Sequence, residues 1–473
     1  MKTKTLISAI LLLTCSLIYG QNIHTGRFQG LWQGKIVLPN NTSIPVKMNF
    51  DVKENLITGK IDIPDNLIYG LSIDSVWIHQ DTIFTDHSAS IGPNCFYKGV
   101  IVAGDSVIDG KWLQSGGAFP LKLKPAPYTP APNLSNLNPK IEGYRIIKLI
   151  ESTPIKDQQF TNVCWAYATT SFIETEAIRL GKKPVVLSPM FYVLTSYTDK
   201  AEKFIRMKGK SDIGPGGLTF HAMKAYKNYG AIPEEIYSGK TDNSAKHDHY
   251  KLDKKLTDRA NYYVNSGYGN MTADIYKKDL GGILDRNMGK APDTFYYNKK
   301  KYTPKSFADE VIGINPDDYV EITSFSHHPF YSKFILEMPS NWNNDSYLNL
   351  PINDFSNLVD YALLHNFSVC WDADIQDGYA NTLNDTLSEV TQKMRQDAFD
   401  NYTLVDCHNM HIIGIAENSK GKKFYIVKNS SDFGGHGGYF YITKEYLLLK
   451  TISVMVHKDA IPTEIKNSIP FLL

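Results

Sequence analysis

The chain has 473 residues, 42% of them hydrophobic and 21% charged, an ordinary globular composition with enough apolar material for two or three packed cores. Its formal net charge is +1, so no global field selects nucleic acid or an acidic membrane surface as a partner. Five cysteines in so long a chain cannot staple it, and none has a close metal-type neighbour, so stability has to come from packed cores.

The start, MKTKTLISAILLLTCSLIYGQ, sets Lys2 and Lys4 before an apolar run from Leu6 to Ile18. That run is too short for a membrane span and reads as an export leader over residues 1–20, which places the mature protein in the periplasm or outside the cell. A lipoprotein anchor on Cys15 is the less favoured alternative, because Thr14 is bulkier than the small residue usual there. No later segment reads as a membrane span. Residues 21–124 carry short alternating runs, among them GLWQGKIVL, IPVKMNFDV, LITGKIDI, SVWIHQDTIFT, FYKGVIV and SVIDGKWLQ, separated by Asn, Asp and Gly. They predict a small all-β barrel or sandwich. His24, His79 and His87 are isolated there and read as packing or surface histidines. The Pro-rich stretch 125–140 reads as a linker, and a second domain follows over 141–473.

In DQQFTNVCWAYATTSFIETEAIRLGKK, the residues Ala168, Phe172, Ile173, Ala177 and Leu180 recur at three- and four-residue intervals, as on one face of a helix. Gly181 is a fitting stop, and Thr161 or Asn162 a fitting cap. Cys164 then lies in the first turn, where unpaired N–H groups and the helix dipole favour a thiolate. A small apolar filler at a helix end is the plain alternative.

A thiolate needs a base, and the base an orienting group. Near the C-terminus, His411–Ala416 and Phe424–Asn429 read as the strands of a hairpin closed by ENSKGKK. Setting Ala416 opposite Phe424 brings His411 opposite Asn429, an imidazole beside a carboxamide on one face of the sheet. The same register sets His408 opposite Asp432, but His408 lies outside the apolar run, and His411 is favoured. His436, among glycines, reads as a loop residue. His327, His328 and the HDH at 247–249 lack a carboxylate or cysteine at tight ligand spacing, so they read as solvated surface and no metal is expected.

Together DQQFTNVCWAY, NMHIIGI and VKNSSDFGGHGGYFYI resemble the papain-like cysteine peptidases, with the bleomycin hydrolase and aminopeptidase C branch the nearest in look, from about Ile141 onward. SPMFYV, GPGGLTFHAMKAYKNYGAIPEE and YTPKSFADEVIGI also resemble segments of that branch. GLWQGKI, IDIPD and DGKWLQSGGAFPLKL resemble the lipocalin-like β domain that precedes hydrolases in exported bacterial proteins. The resemblance implies an α+β fold, a papain-like two-lobe peptidase preceded by the small lipocalin-like barrel. It implies Cys164 as nucleophile, His411 as base and acid, Asn429 as the residue orienting the imidazole, and Gln158 with the Cys164 N–H as oxyanion donors. Gly216 and Gly217, in the GPGG stretch, match the glycine-rich wall for substrate backbone, and Trp165 follows the nucleophile. Gln159 is a neighbouring alternative to Gln158, one residue short of the family spacing. Ser431 stands where the family commonly has Trp, and Thr161 where many papain relatives have a cysteine. The tail HKDAIPTEIKNSIPFLL is shorter than the arm that enforces aminopeptidase action in that branch.

The expectation is an exported cysteine peptidase acting on peptides or proteins, without metal or organic cofactor, of aminopeptidase type. An endopeptidase, or a peptide-binding protein on a peptidase scaffold, is the alternative. The sequence sets no oligomeric state.

Overall fold

The structure, a computed structural model, describes residues 25–39, 43–53, 56–63, 68–88, 95–102, 104, 106–114, 116–126, 144–241, 246–266, 273–376, 389–431 and 437–469. The expected leader with Cys15, His24, most of the Pro-rich linker, Asp432 and His436 lie outside the described residues. The chain divides into two compact units, Met1–Pro132 and Asn133–Leu473.

Among the described residues, the first unit has nine strands: β1 (Gly30–Val37), β2 (Ser43–Lys53), β3 (Leu56–Ile63), β4 (Ile68–Ser72), β5 (Ser75–His79), β6 (Thr82–Asp86), β7 (Phe96–Val102), β8 (Val107–Gln114) and β9 (Gly117–Pro125). They pair antiparallel in the order β4-β3-β2-β1-β9-β8-β7-β6-β5. The two ends of that path are joined by consecutive residues. The Ile73 N–H donates to the Gly59 carbonyl at 2.9 Å and the Asp74 N–H to the Asp86 carbonyl at 3.0 Å, so the sheet rolls into a nearly closed barrel. Alternation fills its interior with Trp32, Phe50, Tyr97, Trp112 and Leu121. A Cβ at Gly34 would lie 2.0 Å from the Lys122 carbonyl oxygen, so only glycine lets β1 and β9 pass there. The run SVWIHQDTIFT is two strands rather than one, broken at Gln80 with φ +56°. His87 is a packing histidine. It is buried against Trp112, bonded to Thr85 Oγ1 at 2.6 Å, and burial lowers its pKa to about 4.

The second unit has a helical part and a sheet. Its first helices are α1 (Cys164–Arg179), α2 (Pro189–Arg206), α3 (Thr219–Tyr229), α4 (Tyr250–Asn265) and α5 (Ala273–Met288), and a short hairpin, β11 (Phe295–Tyr297) and β12 (Lys300–Tyr302), follows. The sheet comprises β10 (Tyr144–Leu149), β13 (Tyr319–Thr323), β14 (Lys333–Ile335), β15 (Ser346–Asn349), β16 (Val369–Ala373), β17 (His408–Asn418), β18 (Lys423–Lys428), β19 (Tyr439–Thr443) and β20 (Thr451–His457). The order is β14-β15-β13-β20-β16-β17-β18-β19, with β10 also paired to β17. One core joins the helices through Phe172, Tyr192, Tyr226 and Leu284. A second lies between the sheet and helix α6 (Ile352–Leu364), through Phe355, Leu358, Trp371 and Val454. Helix α7 (Gln392–Asp400) follows before β17.

Helix α1 departs from the one-faced pattern expected of it. Every residue from Cys164 to Ala177 is buried, because α1 is wedged between α3 and strand β17. Most of its polar residues survive burial by pairing, the Thr175 hydroxyl being an exception. The Thr169 and Thr170 hydroxyls donate to the Trp165 and Ala166 carbonyls. Glu174 accepts from Lys156 at 2.5 Å and from the Leu187 N–H at 2.6 Å, and Glu176 from Arg179 at 2.8 Å. The capping expectation is corrected. Val163 precedes the first turn without a side-chain cap, the Thr161 hydroxyl donates instead to the Gln158 carbonyl at 2.8 Å, and Asn162 takes φ +54°. Gly181, at φ +78°, does follow the helix end.

Candidate active site

Cys164 is the first residue of α1 and is 9% exposed. It opens onto a cavity of about 250 Å³ walled on one side by Gln158, Asn162, Trp165, Gly216 and Gly217 and on the other by Ser340, Asp406, Cys407, His408 and Asn409. The Asn409 N–H donates to Cys164 Sγ at 3.4 Å, which pins the sulfur against the first residues of β17. His408, the neighbour of Asn409, lines the same cavity, and its Nε2 meets Asn429 Oδ1 at 2.7 Å.

The hydrogen bonds around Asn429 fix the amide and hence the tautomer. Oδ1 also accepts from the Ser430 N–H at 2.8 Å, while Nδ2 donates to Ser431 Oγ at 3.2 Å. With Oδ1 as acceptor, His408 carries its proton on Nε2 and keeps the lone pair of Nδ1 for a thiol. Ser431, which stands where the family commonly has Trp, therefore takes a polar part in holding the carboxamide.

His411 is not at this site. It is fully buried, its Nδ1 lies 2.9 Å from Ser171 Oγ, and its ring meets Phe172 edge-on. Ser171 is seven residues along α1 from Cys164, about 10 Å along the helix axis. The reason is a bulge. Ala416 does face Phe424 and Gly414 faces Ile426, but the register shifts between Ile412 and Gly414, so that His411 faces Lys428. One extra residue carries His411 to the opposite face of the sheet and leaves His408 on the face of Asn429.

Gln158 joins Cys164 in the cavity and is held from behind. Its N–H donates to the Ser430 carbonyl at 2.8 Å, and its Oε1 accepts from Ser430 Oγ at 3.2 Å, which leaves Nε2 as the donor for the cavity. Gln159 has left it: its side chain accepts from the His247 N–H, with φ +56°. Trp165 donates to the Pro215 carbonyl at 2.9 Å, and a Cβ on Gly217 would lie 2.9 Å from that indole, whereas one on Gly216 would meet nothing within 4 Å. Lys200, buried, holds this glycine turn through the Gly214 carbonyl at 2.6 Å and the Gly216 carbonyl.

The geometry brings a thiol and an imidazole into one cavity, with a carboxamide on the Nε2 of that imidazole and the Asn409 N–H on the sulfur. A model of the Peptidase C1-like family matches residues 215–470, more than half of the chain. The chain belongs to the Peptidase C1-like family. The matched region contains His408 and Asn429 and begins after Cys164 and Gln158. Aminopeptidase C of Streptococcus thermophilus is 24% identical over 285 residues, 53% of this chain and 64% of that protein. Aminopeptidase G of Lactobacillus delbrueckii subsp. lactis is 22% identical over 275 residues, 51% of this chain and 63% of that protein. This C1-like chain thus spans just under two thirds of the length of either relative. Among solved structures, PepW from Lactobacillus rhamnosis HN001 superposes with a TM-score of 0.54 at 19% identity, over 69% of this chain and 84% of that one. The likeness is one of fold, and the fold is the α+β, papain-like one.

The electrostatics of the C1-like site run against the simplest reading of a helix N-terminus. Burial pushes the Cys164 thiol up to about 12, and the Asn409 and Trp165 N–H groups only partly oppose it. Burial lowers the pKa of His408, partly opposed by the bond to Asn429. Both shifts favour the uncharged forms, thiol and neutral imidazole. Asp406 lines the same cavity with Asp372 beside it, and burial raises the pKa of both carboxyls. Asp372 Oδ1 accepts from Asn409 Nδ2 at 3.1 Å, which steadies the residue whose N–H meets the sulfur. Neither Asp carries a signal in the sequence that points to the cavity. The four cysteines among the described residues, Cys95, Cys164, Cys370 and Cys407, are free. His247 and His249 are buried rather than solvated.

Proposed function

We propose that the chain hydrolyses peptide bonds by acyl transfer through Cys164, with His408 as base and acid, Asn429 as the residue orienting it, and Gln158 as an oxyanion donor. The observation that carries this reading is the shared cavity, in which Sγ is held one residue from His408 while Asn429 occupies the far nitrogen of that imidazole. His408 Nδ1 takes the thiol proton as sulfur attacks the carbonyl carbon. The oxyanion receives hydrogen bonds from Gln158 Nε2 and from the Cys164 N–H, one of the first-turn N–H groups without an intrahelical acceptor. The imidazolium then gives its proton to the departing amine, the C–N bond breaks, and a thioester remains. Water, relieved of a proton by His408, attacks the thioester and frees the acid and the thiol. Gly216 and Gly217 offer a wall without side chains along which an extended peptide lies.

The names of the two relatives favour an aminopeptidase, and export follows from the leader reading of residues 1–20. The test is hydrolysis of a peptide library with free and blocked N-termini, read by mass spectrometry, for wild type and Cys164→Ala. Cleavage of free termini only, lost in the variant, supports the proposal. Cleavage of blocked peptides makes the enzyme an endopeptidase, and equal behaviour of the two proteins ends the enzymatic reading. Fractionation of expressing cells tests export, which fails if the chain stays cytoplasmic at full length.

A further inference from the structure

Away from the nucleophile, the turn after β13 and the residue two past β14 bring three metal-type ligands together. Glu337 sets one carboxylate oxygen against each of two adjacent imidazoles: Oε2 lies 3.1 Å from His327 Nε2, and Oε1 lies 2.7 Å from His328 Nε2. The three ligand atoms all lie within 4.8 Å of one another. We propose that His327, His328 and Glu337 form a binding site for a divalent transition metal of the zinc class, with further coordination positions open to water.

Both rings are held before any ion arrives. His327 stacks on Phe399 with centroids 5.2 Å apart, and His328 stacks on Phe334 at 4.2 Å. The outer nitrogen of His327 is also served. Gln396 presents its Oε1 at 3.3 Å and its Nε2 at 3.0 Å to Nδ1, so the amide meets either tautomer, including the one that frees the Nε2 lone pair for a metal. Gln396 is itself anchored, accepting from the Ser326 N–H at 2.6 Å and donating to Asp400 Oδ1 at 2.8 Å. An ordinary surface ion pair has no need of a second clamped imidazole or of a carboxamide behind the first.

The spacing suits the ion. Ligands about 2.0–2.2 Å from tetrahedral zinc stand about 3.3 Å from one another. The two imidazole–carboxylate separations, 3.1 and 2.7 Å, lie near or just under that value, and the side chains, 27%, 33% and 54% exposed, leave an entry path. Two imidazoles and one carboxylate suit zinc and its first-row neighbours rather than calcium or magnesium. The ion would join the segment after β13 to helix α7, which carries Gln396 and Phe399. Glu337 also lines a cavity of about 510 Å³ that shares Ser340 and Asp406 with the cavity of Cys164, so metal binding would reshape a wall next to the nucleophile.

The test is Zn²⁺ binding to the full chain by titration calorimetry and metal analysis after dialysis, in a Cys164→Ala background that removes the cavity thiol as a competing ligand. We expect one Zn²⁺ per chain with a Kd of about 1 μM or below. His328→Ala and Glu337→Gln should each weaken binding at least about a hundredfold, and Gln396→Ala about ten- to a hundredfold. Absence of stoichiometric binding, or binding that survives His328→Ala and Glu337→Gln, overturns the proposal. X-ray absorption at the zinc edge of the chain with both ligands intact decides it even where a variant fails to fold. A shell of nitrogen and oxygen with imidazole scattering supports the site, and sulfur in the shell refutes it.

Discussion

Exchanging the roles of two histidines is the sharpest way to test the site. His408→Ala removes the imidazole bonded to Asn429, and loss of a positioned general base costs about 10²- to 10⁴-fold in kcat/KM, or about 3–5 kcal/mol of transition-state stabilisation at 1.36 kcal/mol per tenfold. His411→Leu removes a buried ring whose Nδ1 faces Ser171 Oγ and whose Nε2 has no partner among the described residues. Ser171 keeps its bond from Lys428 Nζ at 2.7 Å, so the loss is that of one net hydrogen bond, about 1 kcal/mol of stability, with kcat/KM per folded molecule unchanged within about twofold. The assay is steady-state hydrolysis of a fluorogenic aminoacyl amide, normalised by active-site titration, beside thermal melts. The rate of Cys164 alkylation by iodoacetamide at pH 7 gives a second reading, slowed in His408→Ala alone. The reasoning fails if His411→Leu melts like wild type yet loses hydrolysis, or if His408→Ala retains more than about a tenth of it.

Further outcomes follow from the same geometry. Gln158→Ala should lower kcat about 10²- to 10³-fold with little change in melting, as expected for one lost oxyanion donor, and a change confined to KM would assign Gln158 to ground-state binding. Gly217→Ala meets the Trp165 indole at 2.9 Å and should cost about 1–3 kcal/mol in denaturant unfolding, whereas Gly216→Ala should melt like wild type and raise KM; the reverse ranking would place the peptide wall elsewhere. His408 must be neutral to accept the thiol proton and its pKa is lowered, so kcat/KM should rise with pH through a midpoint below 6.5, and a midpoint above that value would exclude it as the base. Burial lowers Lys428 to about 7, so between pH 7 and its unfolded value near 10.4 the unfolded chain binds more protons and stability rises with pH. Lys428→Met should flatten that slope in urea midpoints measured across the window, and an unchanged slope would count against the neutral lysine.

Much of the site was legible because its signals are local. Cys164 opens a helix, Gln158 sits six residues before it, Gly216 and Gly217 stand side by side, and Asn429 directly follows a strand. The nine-stranded sheet showed in its alternation, except for IYGLS, whose central glycine and short length give no period, and for the tight turn at Gln80. His411 lies away from the cavity for a physical reason. A bulge adds one residue to β17 without leaving a mark on an apolar run, since Ile412 and Ile413 are both buried whichever way they point. An ideal ladder counted from Ala416 is right as far as Gly414 and wrong beyond it. His408 was passed over as lying outside the apolar run, yet it is the first residue of the strand, where a sheet hands over to a polar cleft. Ser340, Asp372 and Asp406 come from distant segments, and only tertiary packing gathers them near the sulfur.

Ser430 touches Gln158 at two points, through its carbonyl and its hydroxyl, and it directly follows Asn429. In the proposed mechanism, the group that steers the proton and the group that receives the developing negative charge are therefore bolted to a single dipeptide. Thermal drift of that corner displaces both in concert and preserves their mutual spacing. Damage at Ser430 would blur both functions at once, so paired substitutions there and at Gln158 should cost less than the sum of their separate effects.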